Sequence, residues 1–273
     1  MSPNPFLYRI NFLTPIECTF FISLRQWNPF HLFHMVDFFW KIIENKKSCR
    51  TDNWPTNIKK IMTIHANRLT PEATYRLLSG IVVPRPIAWI TSMSENGVVN
   101  LAPFSCFTFV SNKPPLLGIN IGRKAGRRKD TGANIHALGE FVVNIGDVSQ
   151  LTNIHDSSAE YASEVSEVEL LGLTVIPSET VSVPRLSSVP ISMECKLERV
   201  ISFGETGAEF FVGEVTVFHI HNDLLKDGKI DTRALNPVCR IGGPNYATLG
   251  DILTLHDIQQ TPTAVINEDG RIS

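Results

Sequence analysis

An excess of charge of either sign is what this chain most plainly lacks. Its 273 residues hold 25 Lys plus Arg against 27 Asp plus Glu, a formal net charge of −2. No global basic field draws it to nucleic acid, and no acidic excess makes a solvating tail. Charged residues are 19% of the chain and apolar residues 43%, which fits a globular protein with a sizeable core. Cysteine is scarce. Cys18, Cys49, Cys106, Cys195 and Cys239 are five in number, with no CxxC pair. The odd count suits no disulfide framework, and no local signature marks a catalytic thiol; reduced thiols of an intracellular, cytoplasmic protein are expected. Long apolar runs are missing too. Phe6 to Leu24 is interrupted by Arg9, Asn11, Pro15 and Glu17, so no membrane span of about 20 residues is present. A Walker loop, GxxxxGK[ST], is absent, as are internal repeats and low-complexity tracts.

Residues 1–61, rich in Phe with scattered Asn, Pro and His, differ in character from the remainder of the chain. They match neither a secretory signal nor an Arg-rich targeting peptide. Met62 opens a stretch, MTIHANRLTPEATYRLLSG, that reads as an ordinary protein start. The expected organisation is therefore an N-terminal extension over 1–61, a functional domain over 62–255 and a C-terminal tail over 256–273. The extension is read as a mistaken translation start or, alternatively, as an anchor to a membrane or partner.

Within the domain, Thr70-Pro71-Glu72 is a helix-start signal, with Thr70 as N-cap and Pro71 at the first helical position. The pattern predicts a helix to Leu78 that stops at Gly80. Pro84 and Pro86 bracket Arg85 and force an extended path. Ile87–Ser92, Val98–Leu101, Phe104–Val110, Leu116–Ile121 and Phe141–Ile145 read as strands, with Asn96-Gly97 as a hairpin turn. Asp130 or Thr131 is expected to cap a helix through Leu138, ended by Gly139. Ile191–Phe203 alternates apolar and polar residues, the mark of an antiparallel strand with one wet face, and Glu209–His221 returns beside it. Residues 156–190 read as a loop-and-helix excursion. Many strands, few short helices and Gly/Pro turns make the fold mainly β, a closed antiparallel barrel.

Three stretches have the residue types for chemistry. The first runs from Trp89 to Ser105. Pro103 lacks an N–H and is a poor place to continue a central strand; Asn100 and Ser105 offer hydrogen bonds, and Ala102 is small enough for a ring to approach the backbone. A plain strand-end turn is the alternative. The second, Gly122 to Thr131, packs five cations before a helix start, which suits a phosphate; a solvated basic loop is the alternative, and a nucleic-acid patch lacks interleaved aromatics. The third comprises Gly213–His221 and Arg240–Tyr246. His219 and His221 share one strand face, but further metal ligands at a recognisable spacing are missing, so no metal site is assigned. Gly242-Gly243 permits close backbone approach, and Tyr246 offers a ring and a hydroxyl.

Taken in order, RPIAWITS…NLAPFSCF (Arg85–Phe107), GRKAGRRKDTGANI (Gly122–Ile135), GEFVVNI (Gly139–Ile145), VPRLSSVPISMECKL (Val183–Leu197), GEVTVFHI (Gly213–Ile220) and RIGGPNY (Arg240–Tyr246) resemble the flavin reductase-like family, in its flavoredoxin-type branch. The resemblance spans roughly residues 68–250. It implies an FMN-binding split β-barrel, a homodimer with non-covalent FMN near the subunit interface, and NADH or NADPH as co-substrate. It implies further that Thr91, Ser92, Asn100, Leu101, Ala102 and Ser105 line the ring and ribityl chain. Lys129, Asp130 and Thr131, with Arg123, would lie at the 5′-phosphate. His219 would sit at the reacting face, and Arg240 and Tyr246 at the cofactor or dimer edge. Electrons would pass to free flavin, a partner monooxygenase or another redox protein; a non-enzymatic electron carrier is the alternative. Cys106 and the strongly basic Gly122–Arg128 loop depart from the family's pattern, and residues 1–61 have no counterpart in it.

Overall fold

The structure, a computed structural model, describes residues 61–256. The expected extension and tail lie outside the described residues but for Ile61 and His256. The compact unit with the candidate site starts at His65. Helix α1, Pro71–Ile81, starts where Thr70 and Pro71 place it, the Thr70 side chain accepting from the Ala73 N–H at 3.2 Å. It runs past Gly80, which tolerates the helix at modest cost. The stop comes at Val82, because Pro84 disfavours helical backbone at Val83.

Seven antiparallel strands form the main sheet: β1 Ala88–Met93, β2 Val99–Phe104, β3 Phe107–Asn112, β4 Pro115–Ile121, β5 Glu140–Ile145, β6 Ile191–Phe203 and β7 Ala208–Ile220, in the order β2-β1-β5-β6-β7-β4-β3. The two outermost strands, β2 and β3, are consecutive in the chain, yet among the described residues no ladder joins them. The chain crosses the gap at Ser105-Cys106, where the Cys106 carbonyl accepts from the Asn120 N–H at 2.8 Å. The sheet is left open along this seam, in keeping with the split barrel that the resemblance implies rather than the full closure that the strand pattern alone suggests. Helix α2, Asp130–Leu138, packs against the sheet and ends at Gly139 in the left-handed conformation (φ 68°), as its glycine predicts. Its N-cap is Lys129, with no side-chain cap, rather than Asp130 or Thr131.

An edge and a cover account for two further corrections. Strand β2 runs straight through Pro103, because β2 is an edge strand and the missing N–H costs no ladder bond. Its outer edge is closed by side chains instead: the Val99 carbonyl accepts from Ser166 Oγ at 2.6 Å, and the Leu101 N–H donates to Glu167 Oε2 at 2.9 Å. The one wet face expected for β6 holds only for its second half. Ile191–Cys195 is buried on both faces, since the 156–190 excursion folds over the sheet as a cover.

The core is accordingly double. Ala88, Ile90, Phe104, Phe141, Val143, Met193, Cys195 and Phe211 fill the barrel. Trp89, Leu101, Ile154, Val168 and Leu186 fill the space beneath the cover, where the Trp89 indole N–H donates to Ser157 Oγ at 2.9 Å. Phe141 lies across Gly213 of β7, where a Cβ would fall 2.4 Å from its ring, so this ring occupies space a larger residue would take. Phe141→Ala is expected to cost about 3–5 kcal/mol, read as a lowered midpoint in denaturant unfolding at unchanged slope.

Candidate cofactor site

Side chains alternate across a strand, and that alternation sorts the expected site residues into two sets. Ser92 and Asn100 are direct partners in the β1–β2 register, as are Ile90 and Ala102. These four share the barrel face with Ala88 and Phe104. Thr91 pairs with Leu101 on the opposite face. Leu101 packs in the core beneath the cover, and the fully buried Thr91 donates its hydroxyl to the Pro184 carbonyl at 2.7 Å. The structure therefore brings Ser92, Asn100 and Ala102 together and directs the side chains of Thr91 and Leu101 away from them.

The first set meets the start of α2. Asn100 Nδ2 donates to Ser92 Oγ at 3.2 Å and to Thr131 Oγ1 at 2.9 Å, and Asn134 Nδ2 donates to the same Ser92 oxygen at 3.2 Å. With no side-chain cap on α2, the N–H groups of its first turn are left for a ligand or solvent. Asp130 accepts from Ser163 Oγ at 2.7 Å, which turns its carboxylate toward the cover segment. The Lys129 ammonium stands 5.8 Å from the Phe104 ring centroid. Burial holds it below the usual lysine range, with Lys124 adding to the shift. An anion beside it would relieve both effects.

The basic loop is less available than its composition suggests. Both carboxylate oxygens of the buried Glu209 of β7 accept from the Arg128 fork at 3.0 Å each, with Arg123 at 3.6 Å and His136 at 3.4 Å. Arg128 hydrogen bonds hold the Glu209 carboxyl below its ordinary value against the opposing effect of burial. Arg123 also donates to the Gly207 carbonyl at 3.0 Å. Lys124 is paired with Glu160. Arg123, expected at a phosphate, is thus committed to Glu209, and Lys129 is the loop cation left beside the Ser92–Asn100–Thr131 cluster.

Ser105, Arg240 and Tyr246 line a separate cavity next to Arg85. The sequence presents Arg85 only as a residue between two prolines; a lone arginine leading into an apolar strand is the available signal. Glu209 and Glu167 escape a reading of the sequence, because nothing in their local surroundings marks them, and Asn134 lies within the Gly122–Ile135 motif without being singled out there.

The Flavin reductase like domain family matches residues 79–235. The chain belongs to that family. An uncharacterized protein of Halalkalibacterium halodurans is 45% identical over 199 residues, 71% of this chain and 95% of that protein. Nitrilotriacetate monooxygenase component B from Bacillus cereus is 41% identical and matches 72% of this chain and all of its own, with a TM-score of 0.70. Pseudomonas fluorescens 2-nitrobenzoate 2-nitroreductase is 32% identical and matches 75% of this chain and all of its own, with a TM-score of 0.67. The flavin reductase-like assignment accounts for the split barrel and makes the chain a flavin-linked oxidoreductase.

In this flavin reductase-like chain His219 is not at the Ser92–Asn100 cluster. It lies on the covered face of the sheet, its Nε2 2.7 Å from Oε1 of the fully buried Glu194. The Glu179 N–H donates to Glu194 at 2.7 Å, as do the N–H and hydroxyl of Thr180. Within one chain His219 therefore pins the cover. His221 is exposed, and among the described residues no group of three or more His, Cys, Asp or Glu is placed to hold a metal. Cys106, Cys195 and Cys239 are free thiols.

Burial pushes the Glu194 carboxyl up, but the Glu179 N–H, His219 and the two Thr180 donors outweigh it and bring it down to about 2. A carboxyl lowered by folding stabilises the native state above its unfolded value and loses that contribution as pH falls toward 2. Stability is expected to drop between about pH 4.5 and 2 by on the order of 3 kcal/mol. Glu194→Gln should flatten that limb of the unfolding-versus-pH curve while lowering stability at neutral pH.

Proposed function

We propose that this chain binds FMN without covalent attachment, reduces it with NADH or NADPH, and passes the electrons to free flavin or to a partner redox protein such as a monooxygenase. The observation that supports this most directly is the Ser92–Asn100–Thr131 hydrogen-bonded cluster at the uncapped start of α2, beside the partly desolvated Lys129. The donor set fits FMN. Free first-turn amides, a threonine hydroxyl and one ammonium suit a phosphate, while Asn100, Ser92 and the small Ala102 suit a ribityl chain and ring edge. Ser105, expected beside them, accepts from Arg85 in the separate cavity instead.

Bound flavin supplies the redox chemistry by accepting hydride from the nicotinamide. What remains to the protein is to orient and to neutralise. Asn100 fixes the Thr131 hydroxyl by donating to it, which leaves the threonine proton free for a phosphate oxygen. Lys129 neutralises phosphate charge, and Asp130, tied to Ser163, is held off it. No acid–base dyad is required. We assign His219 a positioning role through Glu194.

The exposed apolar side chains of Tyr75, Leu78, Ile81 and Val82 lie along and just after α1, none of whose residues is buried. This stripe supports a homodimer. The kinship with a monooxygenase component supports a partner oxygenase. No helix among the described residues is long and apolar enough to cross a membrane.

Thr131→Ala is expected to weaken FMN retention about tenfold or more, measured as the flavin-to-protein ratio after dialysis; an unchanged ratio would overturn the phosphate assignment. Anaerobic mixing of the FMN-loaded protein with NADH or NADPH should bleach the flavin band at about 450 nm; no bleaching with either would leave only the electron-carrier reading. Leu78→Glu should shift the protein from dimer to monomer in light scattering.

A further inference from the structure

On the far side of β2 from the Ser92–Asn100 cluster, a cavity of about 440 Å³ opens between α1 and the Arg240–Tyr246 segment. Its walls include Tyr75, Arg76, Arg85, Ser105, Arg240 and Tyr246; three arginines line it and no carboxylate does. Arg85 is 9% exposed. Its guanidinium is held by neutral acceptors alone: Nη1 donates to the Ser79 and Val82 carbonyls at 2.5 and 2.6 Å, Nη2 to the Ile241 carbonyl at 3.3 Å, and Nε to Ser105 Oγ at 3.2 Å. A guanidinium has five N–H donors, so one on Nη2 is left over.

The surrounding charge makes this arrangement costly. Arg85 and Arg240 are Cα partners in the short ladder of Arg85–Pro86 with Cys239–Arg240, and like charges placed opposite each other repel. Arg240 in turn pairs with Tyr246 and lies over its ring, 4.5 Å from the centroid. Among the described residues none of the three arginines forms an ion pair within salt-bridge distance. A buried cation without a counter-ion is expensive, and an anion in the cavity would answer the buried Arg85 and the half-buried Arg240, with the exposed Arg76 at its rim.

We propose that this cavity is a binding site for a small aromatic carboxylate. The guanidinium fork matches a carboxylate better than a point anion does. Tyr75 and Tyr246 offer ring faces, and Ile87 and Pro103 give apolar wall. At about 440 Å³ the cavity is at the small end of ligand pockets, the size of a one- or two-ring molecule rather than a whole dinucleotide. The proposal rests on the flavin reading only in treating the cavity as separate from the site of the cofactor's phosphate.

Calorimetric titration of the full chain, FMN-loaded and FMN-stripped, with benzoate, benzamide and inorganic phosphate tests it. Benzoate is expected to bind about tenfold or more tightly than neutral benzamide and more tightly than phosphate. Arg240→Gln and Arg76→Gln should each weaken benzoate about tenfold, with thermal unfolding confirming that both fold. Arg76→Gln should keep the parent flavin-to-protein ratio. Equal binding of benzoate and benzamide, absence of benzoate binding, tighter binding of phosphate, or loss of FMN from Arg76→Gln would each overturn the proposal; the last would make the cavity part of the cofactor site. Thr131→Ala separates the two readings: FMN retention unchanged with benzoate still bound would defeat the phosphate assignment alone.

Discussion

Burial of β1 on both of its faces constrains the rest of the molecule. Ala88 and Ile90 enter the barrel core while Trp89 enters the core beneath the cover. A slip of one residue would exchange these sets and carry Ser92 to the wrong side. The register is fixed by more than hydrophobicity. Asn144 Nδ2 of β5 donates to the Trp89 carbonyl at 3.0 Å, and Asn144 Oδ1 accepts from Ser192 Oγ at 2.9 Å and from the Leu186 N–H at 3.2 Å. One buried amide thus ties β1, β6 and the cover together. An unpaired amide there would cost more than the bonds contribute, which is why the cover, the register and the Ser92–Asn100 pairing stand or fall as one.

Positive charge is handled in two contrasting ways. At the α2 end it is drawn inward: Glu209 collects Arg128, Arg123 and His136, and Lys129 stands beside the cluster. At the α1 end three carbonyls and a hydroxyl hold all but one of the Arg85 N–H groups and leave its charge unanswered. The first arrangement limits what the loop can attract; the second leaves a field with no internal counterpart. A sequence-level count of cations registers the five in the loop and overlooks the three that meet in space, since Arg76, Arg85 and Arg240 are far apart along the chain.

Much of the fold was legible because its signals are local. Thr70-Pro71, Asn96-Gly97 and Gly139 each fix a backbone conformation through their own chemistry, and the elements appear where these residues put them. Pro103 misled for the same reason in reverse: its lack of an N–H is local knowledge, but whether that matters depends on β2 being at an edge. The dry second face of β6 was illegible, because Ser192 and Glu194 read as solvent-facing until the cover supplies their partners. In the candidate site, Ser92, Asn100 and Thr131 meet as the motifs suggested. Thr91 and Leu101, expected in the same lining, turn their side chains to the other face, as strand alternation already implies. Glu209 and Asn134 act through contacts made by folding alone.

The outer edge of β2 has a consequence for how chains of this kind meet one another. At Val99 the carbonyl is taken by Ser166, at Leu101 the N–H is taken by Glu167, and at Pro103 there is no N–H to offer. Three successive outward positions are therefore closed to a foreign strand. Edge-to-edge addition, the route by which exposed strands seed aggregates and swapped ribbons, is blocked along β2, so a second copy that meets this edge has to approach through side-chain surface rather than by extending the sheet there.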